Sequence, residues 1–143
     1  MAVKQISVFI ENRSGGLREI TDLLGGAGID IRALSIAETS DFGILRLIVD
    51  DVYKAGNVLN ENGIVYSLTE VLAIAGEDKP GSIAKIVDAL ADAGLSMNYA
   101  YAFFTKSKET AYLVVRVEDM EKAKQALNIP GIHIVTEEEM QQL

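Results

Sequence analysis

The strongest constraint on this chain is that it repeats itself. Glu11, Gly15, Ile20, Asp22, Leu24, Ala27 and Gly28 recur 66 residues later as Glu77, Gly81, Ile86, Asp88, Leu90, Ala93 and Gly94. Farther on the spacing becomes 68, and Asp51, Lys54, Ala55, Leu59 and Gly63 recur as Asp119, Lys122, Ala123, Leu127 and Gly131. Two stretches that share acids, glycines and apolar positions in one order should fold alike. The added two residues fall near Lys106 to Thr110, where a hairpin turn tolerates extra length.

Each half carries the same series of periods. Val3 to Glu11 alternates, with Ile6, Val8 and Ile10 on one side and Ser7, Phe9 and Glu11 on the other, the period of a half-buried strand. Asn12 to Gly16 breaks it, and Leu17, Ile20, Leu23 and Leu24 then mark a helix stopped by Gly25-Gly26-Ala27-Gly28. A strand from about Ile29 to Thr39 turns at Ser40 to Gly43 and pairs with Ile44 to Asp50. Val52, Ala55, Val58 and Leu59 make a second short helix, capped by Asp50 or Asp51 and ended near Asn62-Gly63. From Ile64 the chain is extended again into Val71 to Ala75, with no glycine- or proline-rich linker. The second half repeats the order, and Glu137 to Leu143 forms a short terminal helix or a frayed tail.

Strand, helix, strand, strand, helix, strand is the split βαβ order of ferredoxin-like folds. The expected fold class is therefore α+β: two βαββαβ repeats, residues 1–68 and 69–143, packed into one compact body, with antiparallel sheets carrying helices on one face.

Composition narrows the function. The net charge of −8 and absence of any basic patch argue against nucleic acid, because the phosphate backbone would be repelled. With no cysteine and only His133, neither a thiolate nor a histidine-rich metal site is available, so no metal and no cofactor is expected. No 18-residue apolar run suits a membrane span, and Met1-Ala2-Val3-Lys4 opens directly into a strand, so no membrane partner and a cytoplasmic location are expected. No nucleophile elbow, phosphate loop, dinucleotide fingerprint or zinc-protease motif occurs, and no catalytic residue is assigned.

The turn between the first strand and first helix of each repeat carries the remaining signal. Asp78-Lys79-Pro80-Gly81 precedes Ile83, Ile86 and Leu90 on one helical face, and Ala93-Gly94-Leu95 ends that helix. A strand, an Asn/Asp-x-Pro-Gly turn and a helix ending in Ala-Gly-hydrophobic, within a βαββαβ unit, resembles the ACT domain, a small regulatory module that binds amino acids. The likeness covers about residues 3 to 67 and 69 to 136. It departs at Asn12-Arg13-Ser14-Gly15, where serine stands in the place of proline.

The resemblance implies a non-enzymatic, amino-acid-binding regulatory protein with its ligand at the interface of the two repeats, held by the turn of one and the start of strand two of the other. Carried over by position, the first repeat supplies Asn12, Ser14, Gly15, Gly16 and Leu17 from the turn and Asp30 and Ile31 from strand two. The second supplies Asp78, Lys79, Pro80, Gly81, Ser82 and Ile83, with Ser96, Met97 and Asn98. The open helix end suits a carboxylate, and Asn12, Asp30 and Asp78 offer acceptors to an ammonium. Two alternatives stand beside this reading: a small regulatory subunit of an amino-acid biosynthetic enzyme, similar to that of acetolactate synthase, and an assembly module with vestigial sites.

Other residues have structural readings. Tyr99, Tyr101 and Phe103, where the first repeat has Ala33, Ser35 and Ala37, are read as completing the helix–sheet core, with a tyrosine hydroxyl in a ligand pocket as the alternative. His133 is read as structural or solvent-facing. Arg46 and Arg116, with Ile44, Ile48, Tyr112 and Val114, mark an outer sheet face that a homodimer or a regulated metabolic enzyme could cover.

Overall fold

The computed structural model describes residues 2–11, 15–38, 42–103, 105 and 108–143. The turns expected at Ser40 to Gly43 and at Lys106 to Thr110 lie partly outside them. The elements are β1 (Val3–Glu11), α1 (Gly16–Gly26), β2 (Ile31–Glu38), β3 (Phe42–Val49), α2 (Val52–Glu61), β4 (Tyr66–Glu77), α3 (Ser82–Asp92), β5 (Met97–Ala102), β6 (Thr110–Val117), α4 (Met120–Ala126), β7 (His133–Val135) and α5 (Glu137–Gln142). The chain divides into two units with continuous spans Lys4–Thr69 and Glu70–Gln141. The last strand of one repeat and the first of the next are one strand, β4, because no turn signal interrupts Tyr66 to Glu77.

In the first unit β3 lies between β2 and β1, antiparallel to both, with Val8 opposite Leu45 and Leu34 opposite Leu47. Its core is Ile6, Val8, Ile20, Leu24, Leu45, Leu47, Val49, Ala55 and Leu59, joined by Ile29 and Val52. In the second unit the order is β7, β4, β6, β5, all antiparallel, with Ile74 opposite both Leu113 and Ile134. Its core is Leu72, Ile74, Ile86, Leu90, Leu113, Val115, Val117, Ala123 and Leu127. These nine are the first unit's nine moved on by 66 before the hairpin and 68 after it, so the repeat offset is the register of two equivalent cores. In each, an i, i+4 pair from one helix seats on alternate strand residues, which is what periods of 3.6 and 2 require of a helix on a sheet.

The same equivalence holds at helix starts. Asp51 and Asp119 cap α2 and α4 by accepting from the backbone N–H of Lys54 and Lys122, each at 3.0 Å. Gly15 and Gly81 precede α1 and α3 at φ +90° and +89°, a conformation that side chains rarely adopt. The terminal segment is helical, not frayed. Thr136 and Glu139 form a reciprocal capping box, and Met140 is buried.

Three sequence readings are refined. The register puts Tyr99 opposite Arg116 and Tyr101 opposite Val114, whereas Ala100 and Ala102 face the core residues Val115 and Leu113. Tyr99, Tyr101 and Phe103 thus lie on the face away from the helices; Tyr101 and Phe103 are buried there, and Phe103 meets Tyr112 edge-on at 4.7 Å. Their parity along β5 and just beyond it is opposite to that of a helix-facing residue. Ile48 and Val114 are also buried on this type of face, so they expose no apolar patch for a partner. His133 is solvent-facing, as expected, and its Nε2 donates to Glu139 Oε2 at 2.7 Å.

Two outcomes follow. Gly56, inside α2, faces Tyr66 so closely that a Cβ would stand 2.3 Å from its hydroxyl oxygen and 2.8 Å from Cζ. Glycine to alanine inside a helix ordinarily stabilises by about 1 kcal/mol. Here Gly56→Ala should instead lose about 1–3 kcal/mol by overpacking, and in a Tyr66→Ala background the ordinary gain should return. A double-mutant cycle by denaturant unfolding reads this, and a stabilised Gly56→Ala single variant would contradict the contact. The hydrogen bond from His133, helped by Thr136, holds the Glu139 carboxyl below its ordinary value of 4.5. Because the folded value is depressed, this contribution is complete above about pH 4.5 and is lost as pH falls through the folded value. Replacing His133 by Gln should move the Glu139 titration, followed by carboxyl NMR shifts, back toward 4.5.

Candidate functional site

In the second unit β4 ends at Glu77, the chain turns through Asp78-Lys79-Pro80-Gly81, and α3 begins at Ser82. The turn is braced from several sides. Asp78 N–H donates to the Glu109 carbonyl at 2.9 Å, Ser82 N–H to the Lys79 carbonyl at 3.2 Å, and the Ser82 hydroxyl to the Glu77 carbonyl. Gly76 lies beneath, where a Cβ would come 3.2 Å from Ser82 Oγ. Gly81 has no side chain to cap α3, and the helix end is left without a side-chain hydrogen bond. By contrast α2, α4 and α5 are all capped by side chains.

At this turn lies a notch of about 160 Å³, lined by Glu77, Lys79, Pro80, Gly81, Ser82 and Lys85 on one side and Gly131 and Ile132 on the other. Lys85 Nζ donates to the Pro130 carbonyl at 2.5 Å, tying α3 to the loop before β7. Lys79 Nζ lies 2.8 Å from Glu77 Oε2. That contact lowers the Glu77 carboxyl below its usual value and raises the Lys79 ammonium above its own. Two ammoniums, one of them paired with the Glu77 carboxylate, and an open helix end thus border one small cavity, and the helix end and ammoniums suit a carboxylate.

Of the second-repeat residues singled out in the sequence, Lys79, Pro80, Gly81 and Ser82 line this notch together. Asp78 and Ile83 are exposed beside it, and Ile83 is 54% accessible. Ser96 and Asn98 are exposed and Met97 packs against the core; none of the three lines the notch. Glu77, Lys85, Gly131 and Ile132 were not singled out as site residues. Lys85 could have been found one helical turn after Gly81, whereas Gly131 reaches the notch only through tertiary folding.

The first turn differs. Asn12 and Ser14 lie outside the described residues. Gly15 precedes α1, and Gly16 is buried where a Cβ would stand 3.1 Å from the Glu11 carbonyl oxygen. Leu17 and Ile31 pack against the first core. Asp30 is tied into its own loop: its N–H donates to Asp50 Oδ1 at 2.9 Å, its carbonyl accepts from Asp50 N–H at 3.1 Å, and its carboxylate lies 3.4 Å from Arg32 Nε. Where α3 has Lys85, α1 has Glu19, an acid in the first turn of its own helix. This one position therefore changes sign between the repeats, although Arg18 stands beside Glu19 in the first turn of α1.

The described residues hold no group of three or more acids and histidines placed to bind a metal ion. No described helix is long and apolar enough to cross a membrane.

The chain is similar over its whole length to protein BT0572 from Bacteroides thetaiotaomicron, at 36% identity and a TM-score of 0.91, covering 100% of this chain and 98% of that one. It shares its fold with the regulatory subunit of aspartate kinase from Thermus thermophilus in its ligand-free form, at 18% identity and a TM-score of 0.63, covering 88% of each chain. The regulatory subunit of aspartate kinase from Thermus flavus gives 18% identity and a TM-score of 0.55, over 88% of this chain and 90% of that one. No curated protein matches it. A family model described as an ACT domain pair matches residues 1–143, and the chain belongs to that family.

Proposed function

We propose that the chain is a non-enzymatic, cytoplasmic amino-acid sensor whose ligand is held at the β4–α3 turn of the second repeat, with its carboxylate on the open end of α3. The observation that carries this reading is the notch of about 160 Å³ where Lys79, Gly81, Ser82 and Lys85 meet. A helix end attracts a carboxylate by roughly 0.3–1 kcal/mol when exposed, and neighbouring ammoniums add charge-assisted hydrogen bonds. The first repeat is the weaker candidate, because Glu19 stands where the second repeat has Lys85. Binding regulates only to the extent that it favours one of two states of the protein or its partner.

A thermal-shift panel of the full chain against the twenty amino acids tests this. A ligand at 100 times its dissociation constant should stabilise the fold by about 2.7 kcal/mol. Lys85→Ala should weaken the response about ten-fold, and Gly81→Val should remove it by straining the turn. No response from any amino acid at millimolar concentration would overturn the reading.

A second reading makes the chain the small regulatory subunit of an amino-acid biosynthetic enzyme. It is favoured by the likeness in fold and length to the regulatory subunits of aspartate kinase. Tagged chain recovered from its own cells should then bring down one large enzyme in a stoichiometric, ligand-sensitive complex. Recovery of the chain alone would leave the free sensor.

A further inference from the structure

A second cavity of about 330 Å³ lies beside the notch, on the sheet face away from the helices. Glu77 and Gly131 line both, which sets the two side by side at the end of β4. Register defines the second one. Ala75 stands opposite Tyr112 of β6 and opposite His133 of β7, and Glu77 stands opposite Thr110. Paired residues share a face, so a methyl forms the floor while two rings, about 10 Å apart across two strand spacings, form the walls. Both walls are braced: Tyr112 by the edge of Phe103 at 4.7 Å, and His133 by Glu139 at 2.7 Å. The end toward the turn is acidic, with Glu77 and Glu109.

The first repeat is an internal control. By the offsets of 66 and 68, Phe9 takes the place of Ala75, Phe42 of Thr110, Ile44 of Tyr112 and Val65 of His133. Phe9 and Phe42 stack edge-to-face at 5.4 Å over the site of the trough. Among the described residues, these two rings stand where the second repeat has Ala75 and Thr110.

Resting on the site proposed above, we propose that its ligand is a basic α-amino acid, with its carboxylate in the notch and its side-chain cation in the trough. An aromatic face and two carboxylates attract a cation, and a small floor leaves room for a methylene stem. Glu77 already holds Lys79 through Oε2, and a carboxylate has a second oxygen able to accept from a ligand cation.

Calorimetric titration of the full chain with L-lysine, L-arginine, L-norleucine, glycine and cadaverine separates the possibilities. Lysine or arginine should bind at least about ten-fold tighter than norleucine, which keeps the stem but lacks the cation. One site per chain should fill, and cadaverine, a cation without the carboxylate, should not bind. Ala75→Phe, which installs the first repeat's own residue, and Glu77→Gln, an exposed replacement, should each abolish the preference for basic ligands. Circular dichroism establishes that Ala75→Phe folds, and Glu77→Gln carries the comparison if it does not. Equal binding of norleucine or glycine would overturn this inference and leave the sensor reading intact. Cadaverine binding as tightly as lysine would also overturn it, making the trough a polyamine site. Absence of binding by both lysine and arginine would also overturn it, while silence across the full panel of twenty amino acids would remove the sensor reading as well.

Discussion

Burial of Ile86 and Leu90 against Leu72 and Ile74 is the interaction on which the second unit depends. Each such side chain contributes roughly 1.5–3 kcal/mol when withdrawn from water, far more than any single surface contact at the turn. This packing fixes the axis of α3, and the axis fixes where its first N–H groups point. The notch is thus aimed by apolar residues that never touch it. Lys85 completes the arrangement by tying the exposed side of the same helix to the Pro130 carbonyl.

The repeats keep that framework and differ where the framework meets solvent. Nine core positions recur in equivalent places, as do the cap aspartates and the positive-φ glycines. The differences are Glu19 against Lys85 at the helix start, Phe9 against Ala75 on the sheet and Phe42 against Thr110 beside it. None touches the helix–sheet core. A duplicated fold can change such positions independently because neighbouring packing does not restrain them.

Most of the fold was legible because it is local and periodic. Ile6 and Val8 alternate, Ile20 and Leu24 are one helical turn apart, and Asp51 and Asp119 announce their helices. The fusion of two expected strands into β4 was signalled only by the lack of turn residues, a weak cue. Tyr99, Tyr101 and Phe103 were placed on the wrong face because large aromatics favour cores, while the parity set by Ala100 and Ala102 was overlooked. The turn itself was legible, from Asp78 to Ser82. Lys85 was obscured by its amphipathic setting, and Gly131 and His133 reach the site through strand pairing across more than fifty residues of chain. No local pattern encodes such a meeting.

Gly131 has a consequence beyond its own loop. It sits at φ +84°, and a Cβ there would approach Lys85 Nζ to 3.0 Å. Any side chain would both strain the backbone and crowd the ammonium from the Pro130 carbonyl. Lysine in the first turn of α3 and Pro-Gly before β7 therefore form one unit, separated by 45 positions in the chain. The first repeat, with Glu19 and Asn62-Gly63, keeps the glycine without the lysine or proline. Among related tandem proteins, the joint presence of those three residues offers a way to sort repeats that retain the cationic notch from those that preserve only the fold.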